Sequence, residues 1–482
     1  MDSKEIIVAG NNDLAFNIVE LLSHRHFVTL VGPEGAEISR FSFPDNVEII
    51  SGQVTEASVL SQTPLTNGGV FIAATDSDER NILACMTAVA LIRMALNDDE
   101  IETSQTLAGL YQAEDLNVIC ILNRSGKGTL SNFDDNFARE LHIHRIIRPA
   151  QELADEIIQI AAIPHAQDVK HIEDGIMLLR VAVDKGALIS NQSLRDARLP
   201  SGVLVVVVAR DDEIILPSGD TVISAGDRVT ILGHQRDLLL FARNQLLNPR
   251  RTRPEQRATI VGGGEAGRLV ALGLLNRGWA VDIIEKSSDI IEKLDLPEDI
   301  VVRRADGTEM QSLEVNDVAS SSLLVAVTSS DETNLLVSLL AQYVGIDRII
   351  TRADRLSNER MFERLGVDVV RSARGAAIRR VVREITGHDE VKAELEHGAL
   401  QMIEVKVHSH FGMIGLADLQ RETGLKMVVG AISRRDPVTR IKNWVIPNGK
   451  TKIESGDTMY IICDHLTSES ALGYFGSARI GE

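Results

Sequence analysis

Aromatic residues make up only 4% of this 482-residue chain. That is too few for the stacked platforms on which proteins read single-stranded bases. Cysteine is also scarce: Cys85, Cys120 and Cys463 lie far apart and form no CxxC pair. A disulfide framework and a zinc ribbon are therefore not expected, and the usage fits a reducing cytoplasm. Positive charge is in deficit, with 50 Lys and Arg against 69 Asp and Glu and a formal net charge of -19. Such a surface repels nucleic-acid phosphates and anionic membranes. Long apolar runs are missing too, since "GVLVVVVA" at 202–209 falls far short of the ~20 residues that span a bilayer. The start, "MDSKEIIVAG", is acidic and enters a strand at once, unlike a signal peptide. A cytoplasmic protein is expected, with any membrane role exercised through a partner.

What the chain has is a duplication. "FIAATDSDERNILA" (71–84) matches "LVAVTSSDETNLLV" (324–337), with Thr75 and Thr328 253 residues apart, and Gly10 and Gly262 are 252 apart. "RPAQELADEIIQI" (148–160) resembles "RSARGAAIRRVVR" (371–383), so aligning Arg148 with Arg371 gives an offset of 223 and places about 30 additional residues in the first copy between 85 and 147. "NDDEIETSQ" and "SGKG" in that interval read as loop. A second repeated unit follows each copy, with "LPSGDTVISAGDRVTILG" (216–233) resembling "IPNGKTKIESGDTMYIIC" (446–463). The order is A, B, A′, B′, with "NPRRTRPEQR" (248–257) as the linker between halves.

Within each A unit, short apolar runs alternate with helical stretches. That spacing implies parallel βαβ units with right-handed crossovers, hence an α/β fold with two Rossmann-type doubly wound parallel sheets. Each B unit, rich in β-branched residues and turns, reads as a small α+β domain. The expected domains are 1–150, 165–247, 257–385 and 395–476.

In "IVGGGEAGRLV" the GxGxxG fingerprint falls on Gly262, Gly264 and Gly267, after a strand and at a helix start. The first glycine permits a tight turn, the second lets the backbone approach a pyrophosphate, and the third lets helix and strand pack closely. The helix N-terminus then presents N–H groups and a positive dipole end to the phosphates. Glu285 closes the next strand, 18 residues after Gly267. A carboxylate there accepts from ribose hydroxyls, favouring NAD(H) or an adenine nucleotide such as ATP or ADP over NADP(H).

With the duplication, this loop, "RADGTEMQSL" (304–313) and "TSSDETN" (328–334), the whole chain resembles the TrkA/RCK family of cytoplasmic regulators of potassium transport. The resemblance implies a phosphate loop at Gly262, Gly263, Gly264, Glu265, Ala266, Gly267 and Arg268, and a ribose carboxylate at Glu285 followed by Lys286. It implies an adenine-side motif at Asp306, Gly307 and Thr308, where Ala305 replaces the family's leading glycine. It further implies ligand contacts from Thr328, Ser329 and Asp331, and a phosphate contact from Arg352. For Asp331 and Asn334 the residues themselves leave an alternative open, namely helix capping and first-turn polarity. Arg352 could instead form an ion pair. The resemblance also implies a homo-oligomer, dimer or tetramer, attached to an integral membrane potassium channel or transporter subunit and held on the inner face of the membrane through it.

The first copy departs from the fingerprint. Gly10, Asn11, Asn12, Asp13, Leu14 and Ala15 stand where the second has Gly262 to Gly267, so Asn12 puts a side chain where a pyrophosphate would lie. Gly32 replaces Glu285, Arg352 has its counterpart near Ile121 or Leu122 with Arg124 the nearest substitute, and Thr75 and Asp76 stand for Thr328 and Ser329. A site weakened or lost is expected. A regulatory subunit is favoured over an enzyme because no acid/base set stands out beside a nicotinamide. His408 and His410 share a strand face, but two imidazoles do not make a metal site, and no metal is expected. An NAD-dependent oxidoreductase and a regulator of another ion channel or transporter remain the alternatives.

Overall fold

In the computed structural model, residues 4–32, 43–65, 69–99, 116–123, 133–197, 199–211, 213–247, 256–386, 391–396, 398–408, 413–436, 439 and 442–476 are described. Most of the acidic stretch at 97–105, the "SGKG" segment, Arg124, nearly all of the expected linker at 248–257 and His410 lie outside them.

Two discontinuous units emerge, one holding 1–157 and 257–385, the other 158–256 and 386–482. In the first unit, Glu5–Ala9 pairs in parallel with Phe27–Gly32 on one side and Gly69–Ala73 on the other. Val47–Ser51, Leu116–Ile121 and Arg145–Ile147 extend this to six strands. Counting strands along the chain, the order is 3-2-1-4-5-6. The second sheet repeats it around Arg257–Val261, which lies between Ala280–Glu285 and Leu323–Ala326. Both are Rossmann-type sheets, whose strand order reverses direction beside the first strand and so opens a crevice there. The central strands are buried on both faces, which is why "IIVA" and "ATIV" read as continuous apolar runs.

Register corrects one sequence alignment. Ile121 pairs with Ile147 just as Arg352 pairs with Arg371. Arg371 is thus equivalent to Ile147, an offset of 224, and Arg148 is equivalent to Ser372. Matching the two arginines by type slipped the alignment by one residue. The same register identifies Ile121 as the counterpart of Arg352. The extra residues of the first copy then fall mostly before Ile121, where the helix Asp78–Asp99 has 22 residues against 13 in its counterpart Asp331–Tyr343.

The last helix of the second copy, Ala373–Thr386, does not stay with its own sheet. Ala377, Ile378, Val381 and Ile385 join the core of the first sheet, together with Ile6, Val8, Phe16, Ile72 and Ile147. Burying each of these larger side chains contributes about 1.5–3 kcal/mol relative to leaving it in water. The two Rossmann copies therefore fold as one body.

The other unit contains two antiparallel five-stranded sheets of identical order. One contains Ala166–His171, Ile176–Ala182, Val203–Arg210, Glu213–Ile215 and Arg228–His234; the other contains Val391–Leu395, Leu400–Lys406, Val428–Arg435, Lys442–Val445 and Thr458–Cys463. Equivalent ion pairs tie the equivalent turns. Arg210 grips Asp227 with two bonds of 2.8 Å, and Arg434 grips Asp457 at 2.8 and 3.0 Å. Both carboxylates are almost fully buried, which explains why "GD" survives duplication where the surrounding sequence does not. Among the described residues, no helix is long and apolar enough to cross a membrane.

Candidate nucleotide site

The second-copy loop is built on three glycines with three different constraints. Gly262 has φ +110°, a region that excludes ordinary side chains, and its N–H donates to Ile284 O at 2.9 Å. The turn brings its carbonyl to within 1.9 Å of where a Cβ on residue 267 would stand, so Gly267 has no alternative. Gly264 is different. It lies at the N-cap with φ -64° and ψ -173°, and a Cβ there would meet nothing within 4 Å. Its lack of a side chain is not required by packing. What glycine does there is leave the start of the helix Glu265–Leu275 without a side-chain cap.

Beside this loop stands Glu285, almost fully buried at the end of its strand. One carboxylate oxygen accepts from Gly263 N at 2.7 Å and the other from Ser287 N at 2.8 Å. Gly263 makes room for it, since a Cβ there would come within 3.2 Å of Glu285 Cβ and Cγ. Two backbone donors hold the carboxylate in place, while each oxygen retains a further lone pair for a hydroxyl. Lys286 follows it at the surface. Asp306 Oδ1 accepts from Thr308 N at 2.9 Å and Thr308 Oγ1 at 2.7 Å, and these bonds hold the Asp306 carboxyl below the ordinary aspartate range, with Lys286 adding a smaller pull. Gly307 packs against Val261, where a Cβ would approach Cγ1 to 2.5 Å.

The remaining expected contacts divide. Asn334 is fully buried; its Oδ1 accepts from Thr328 N at 2.8 Å and Oγ1 at 2.7 Å, and its Nδ2 donates to Thr328 O and Arg352 O. Asp331 accepts from Asp354 N at 2.7 Å and Asn358 Nδ2 at 2.7 Å. Ser330, not Asp331, caps the helix by accepting from Thr333 N. The first copy repeats this lattice. Asn81 bonds Thr75 and Ile121 O in the same way, and Asp78 accepts from Asn123 N at 2.6 Å. A network kept intact where the glycine loop is not supports the fold in both copies. Ser329, next to Thr328, stays exposed. Arg352, at the end of the strand Ile349–Arg352, makes a bidentate pair with Asp354 at 2.7 and 2.9 Å, so its guanidinium is held by a neighbour two residues away.

In the first copy the corresponding positions are filled. Asn12 is the N-cap of the helix Asp13–Ser23; its Oδ1 accepts from Ala15 N at 2.9 Å and its Nδ2 donates to Asp76 Oδ1 at 2.8 Å. Its backbone is extended, with φ -120°, so no unusual angle is involved. The place of an anion at the helix start is taken by an amide oxygen of the chain itself. Gly10 keeps its glycine for a different reason from Gly262. It is not in the left-handed region, but a Cβ would lie 2.6 Å from Ala74 O. Without the left-handed turn, Ala15 fits where the second copy needs Gly267. A size exchange accompanies this: Asn11 and Gly32 replace Gly263 and Glu285, and a Cβ on Gly32 would come within 3.3 Å of Asn11 Cβ. Leu14 is buried, and Asp13 is bonded by Arg374 Nη1 at 3.0 Å. Among the described residues no cluster of His, Cys, Asp and Glu could hold a metal ion, and the backbone N–H of His408 donates to Phe475 O within its own domain.

The chain thus belongs to the class of tandem Rossmann-like proteins, each Rossmann-like domain followed by a small α+β domain, with the helix start after the first strand uncapped by a side chain in one copy and self-capped in the other. The TrkA-N domain model matches residues 6–122 and 258–373, and the TrkA-C domain model matches residues 178–245. Together these span more than half of the chain, and it is a member of the TrkA family. It is 26% identical over 474 residues to the Trk system potassium uptake protein TrkA homolog 1 of Methanosarcina mazei, covering 97% of this chain and 99% of that one. It is 24% identical over 469 residues to the Trk system potassium uptake protein TrkA of Haemophilus influenzae, covering 95% of each. Its fold is similar to that of the GsuK RCK domain, with a TM-score of 0.56 at 17% identity over 98% of this chain and 94% of that one. The GsuK channel bound to NAD gives 0.57 at 17% identity, over 97% of this chain and 78% of the other.

Proposed function

We propose that this protein is a nucleotide-binding regulatory subunit for potassium transport, acting on a Trk- or Ktr-type membrane channel or transporter subunit and not as an enzyme. Its full-length relatives carry the name of a potassium uptake system, and a neighbour in fold is a channel bound to NAD. The observation that carries the reading is the contrast at one position: Gly264 leaves its helix uncapped, whereas Asn12 closes the equivalent helix with its own side chain.

The ligand is NAD(H) or an adenine nucleotide. The residues present fit it: the Gly263 to Gly267 backbone with Arg268 for the phosphates, Glu285 for ribose hydroxyls, and Asp306 to Thr308 on the adenine side. Thr328 and Ser329 border the phosphates, and Arg352 reaches them by exchanging Asp354 for the ligand. That exchange replaces one charge-assisted pair with another, so the site can switch partners without leaving a cation unpaired. Binding regulates only if the ligand prefers one arrangement of the domains over the other; equal affinity for both would shift nothing.

The chain works as a homo-oligomer on the cytoplasmic face, held to the membrane by its partner. The test is potassium flux through the co-purified membrane subunit, with and without NADH, NAD, ATP and ADP. Flux that responds to one of these without its consumption supports the proposal. Flux indifferent to all four, or turnover of NADH with a substrate, overturns it.

A further inference from the structure

The two helices that end the Rossmann copies are equivalent in position and opposite in charge. Pro149–Ala161 carries Glu152, Asp155 and Glu156 and no basic residue; Ala373–Thr386 carries Arg374, Arg379, Arg380 and Arg383 against one Glu384. They meet across the body formed by the two copies. Arg379 Nε and Nη2 donate to Glu156 at 2.9 and 2.7 Å, and Arg380 lies 3.8 Å from Glu152. Arg371 approaches Glu156 at 3.5 Å, and Arg145 of the first copy returns a contact to Glu384 of the second at 3.1 Å.

The strand register gives the counterpart of each residue. Glu156 is equivalent to Arg380, Asp155 to Arg379 and Glu152 to Ala376. In a two-fold pair of identical copies, each contact would be made between equivalents of these positions. Two first copies would set Glu156 against Asp155 and Glu152 against Glu156. Two second copies would set Arg380 against Arg379. Only a first copy with a second copy brings opposite charges together at every one of these contacts.

The other unit also joins its two copies through ion pairs. Arg180 and Glu404 occupy equivalent positions. Arg180 reaches Glu396 of the other copy at 3.6 Å, while Lys392 bridges Glu404 at 2.6 Å and Glu173 of the other copy at 3.6 Å.

We propose that this charge opposition makes the acidic face of Pro149–Ala161 a docking surface specific for the arginine face of Ala373–Thr386, excluding a second copy of itself. Duplication left two surfaces with the same shape, and shape alone would let like pair with like. Repulsion between like charges removes those alternatives. The pairing closes within one chain when its two helices carry opposite charge, and between two chains whose halves exchange when both helices of one chain carry the same charge.

The test uses the full chain. One variant carries Glu152→Arg and Glu156→Arg, so both helices are basic; another carries Arg379→Glu and Arg380→Glu, so the helices are predominantly acidic; a third combines all four. Each two-residue variant is expected to lower the thermal midpoint by several degrees, and the combined variant to recover more than half of that loss. Co-refolding the two-residue variants from urea is expected to give a mixed dimer, counted by native mass spectrometry, above its statistical share. Should either variant fail to fold alone, recovery of folded protein only on co-refolding is the same result. A combined variant no more stable than the weaker of its parents, or a mixture with only the statistical share of mixed species, overturns the proposal.

Discussion

Gly264→Asn transplants the first copy's cap into the second copy. Gly264 already has a φ of -64° and an extended ψ, and its Cβ would meet nothing within 4 Å, so the substitution brings neither backbone strain nor a clash. The introduced amide oxygen can then accept from the N–H of Gly267 as Asn12 accepts from Ala15. Stability should stay level or rise by a few tenths of a kcal/mol, the usual difference between Asn and Gly at an N-cap. Nucleotide binding should fall steeply. The amide takes at least one N–H that would otherwise donate to phosphate, a charge-assisted bond of about 1.5–3 kcal/mol, and each 1.4 kcal/mol is tenfold in affinity. The expected loss is therefore about 10- to 150-fold in Kd for NADH, read by isothermal titration calorimetry, with thermal unfolding of the unliganded protein as the control. Unchanged affinity with an unchanged or higher midpoint would refute the reasoning, because it would show that ligand does not use this helix start. Destabilisation would refute the claim that the glycine is dispensable for folding.

Gly267→Ala should do the opposite at the level of folding. With its Cβ placed 1.9 Å from Gly262 O, the loop must shift, at about 1–3 kcal/mol or more, visible as a lower urea midpoint in the absence of nucleotide. Asn334→Ala and Asn81→Ala should each cost about 2–5 kcal/mol by stranding buried backbone partners, and by similar amounts; a loss of NADH affinity without loss of stability at Asn334 would contradict the structural assignment. Asp306 has a lowered pKa, so its bonds to Thr308 add stability above the ordinary aspartate value and that stability is lost as pH falls through the lower folded value. Thr308→Val should therefore be less stable than the parent at pH 7, with the gap closing in the acid range below about pH 4; a gap independent of pH would contradict this. Asp354→Asn should free Arg352 and change nucleotide affinity with little change in midpoint, measured by calorimetry and thermal unfolding together.

Much of the fold was legible because duplication supplies an internal comparison. Apolar runs spaced by helical stretches give parallel sheets, and matched glycines fix where the loops turn. The slip at Arg148 shows the limit: residue type suggested one alignment, but pairing of Ile121 with Ile147 demands the next. The crossing of Ala373–Thr386 onto the other sheet was not legible, since an amphipathic helix records that it buries a face and not which core receives it. At the site, the glycine fingerprint and Glu285 were readable from spacing. The pairing of Asn11 with Gly32, and the bond from Asn12 to Asp76, were not, because they exchange bulk between residues distant in sequence. The lattice around Asp331 and Asn334 has one signal in the sequence: "SDERN" and "SDETN" persist in both copies, including the one whose loop has changed.

The central claim is that one copy carries the ligand while the other keeps only its architecture, and binding stoichiometry tests it most directly. Titration of the full-length protein with NADH, and in parallel with ATP and ADP, should give one site per chain for the preferred nucleotide, abolished or strongly weakened by Gly264→Asn and unaffected by Asn12→Gly. Two equivalent sites per chain, or a single site lost with Asn12→Gly and retained with Gly264→Asn, would contradict it.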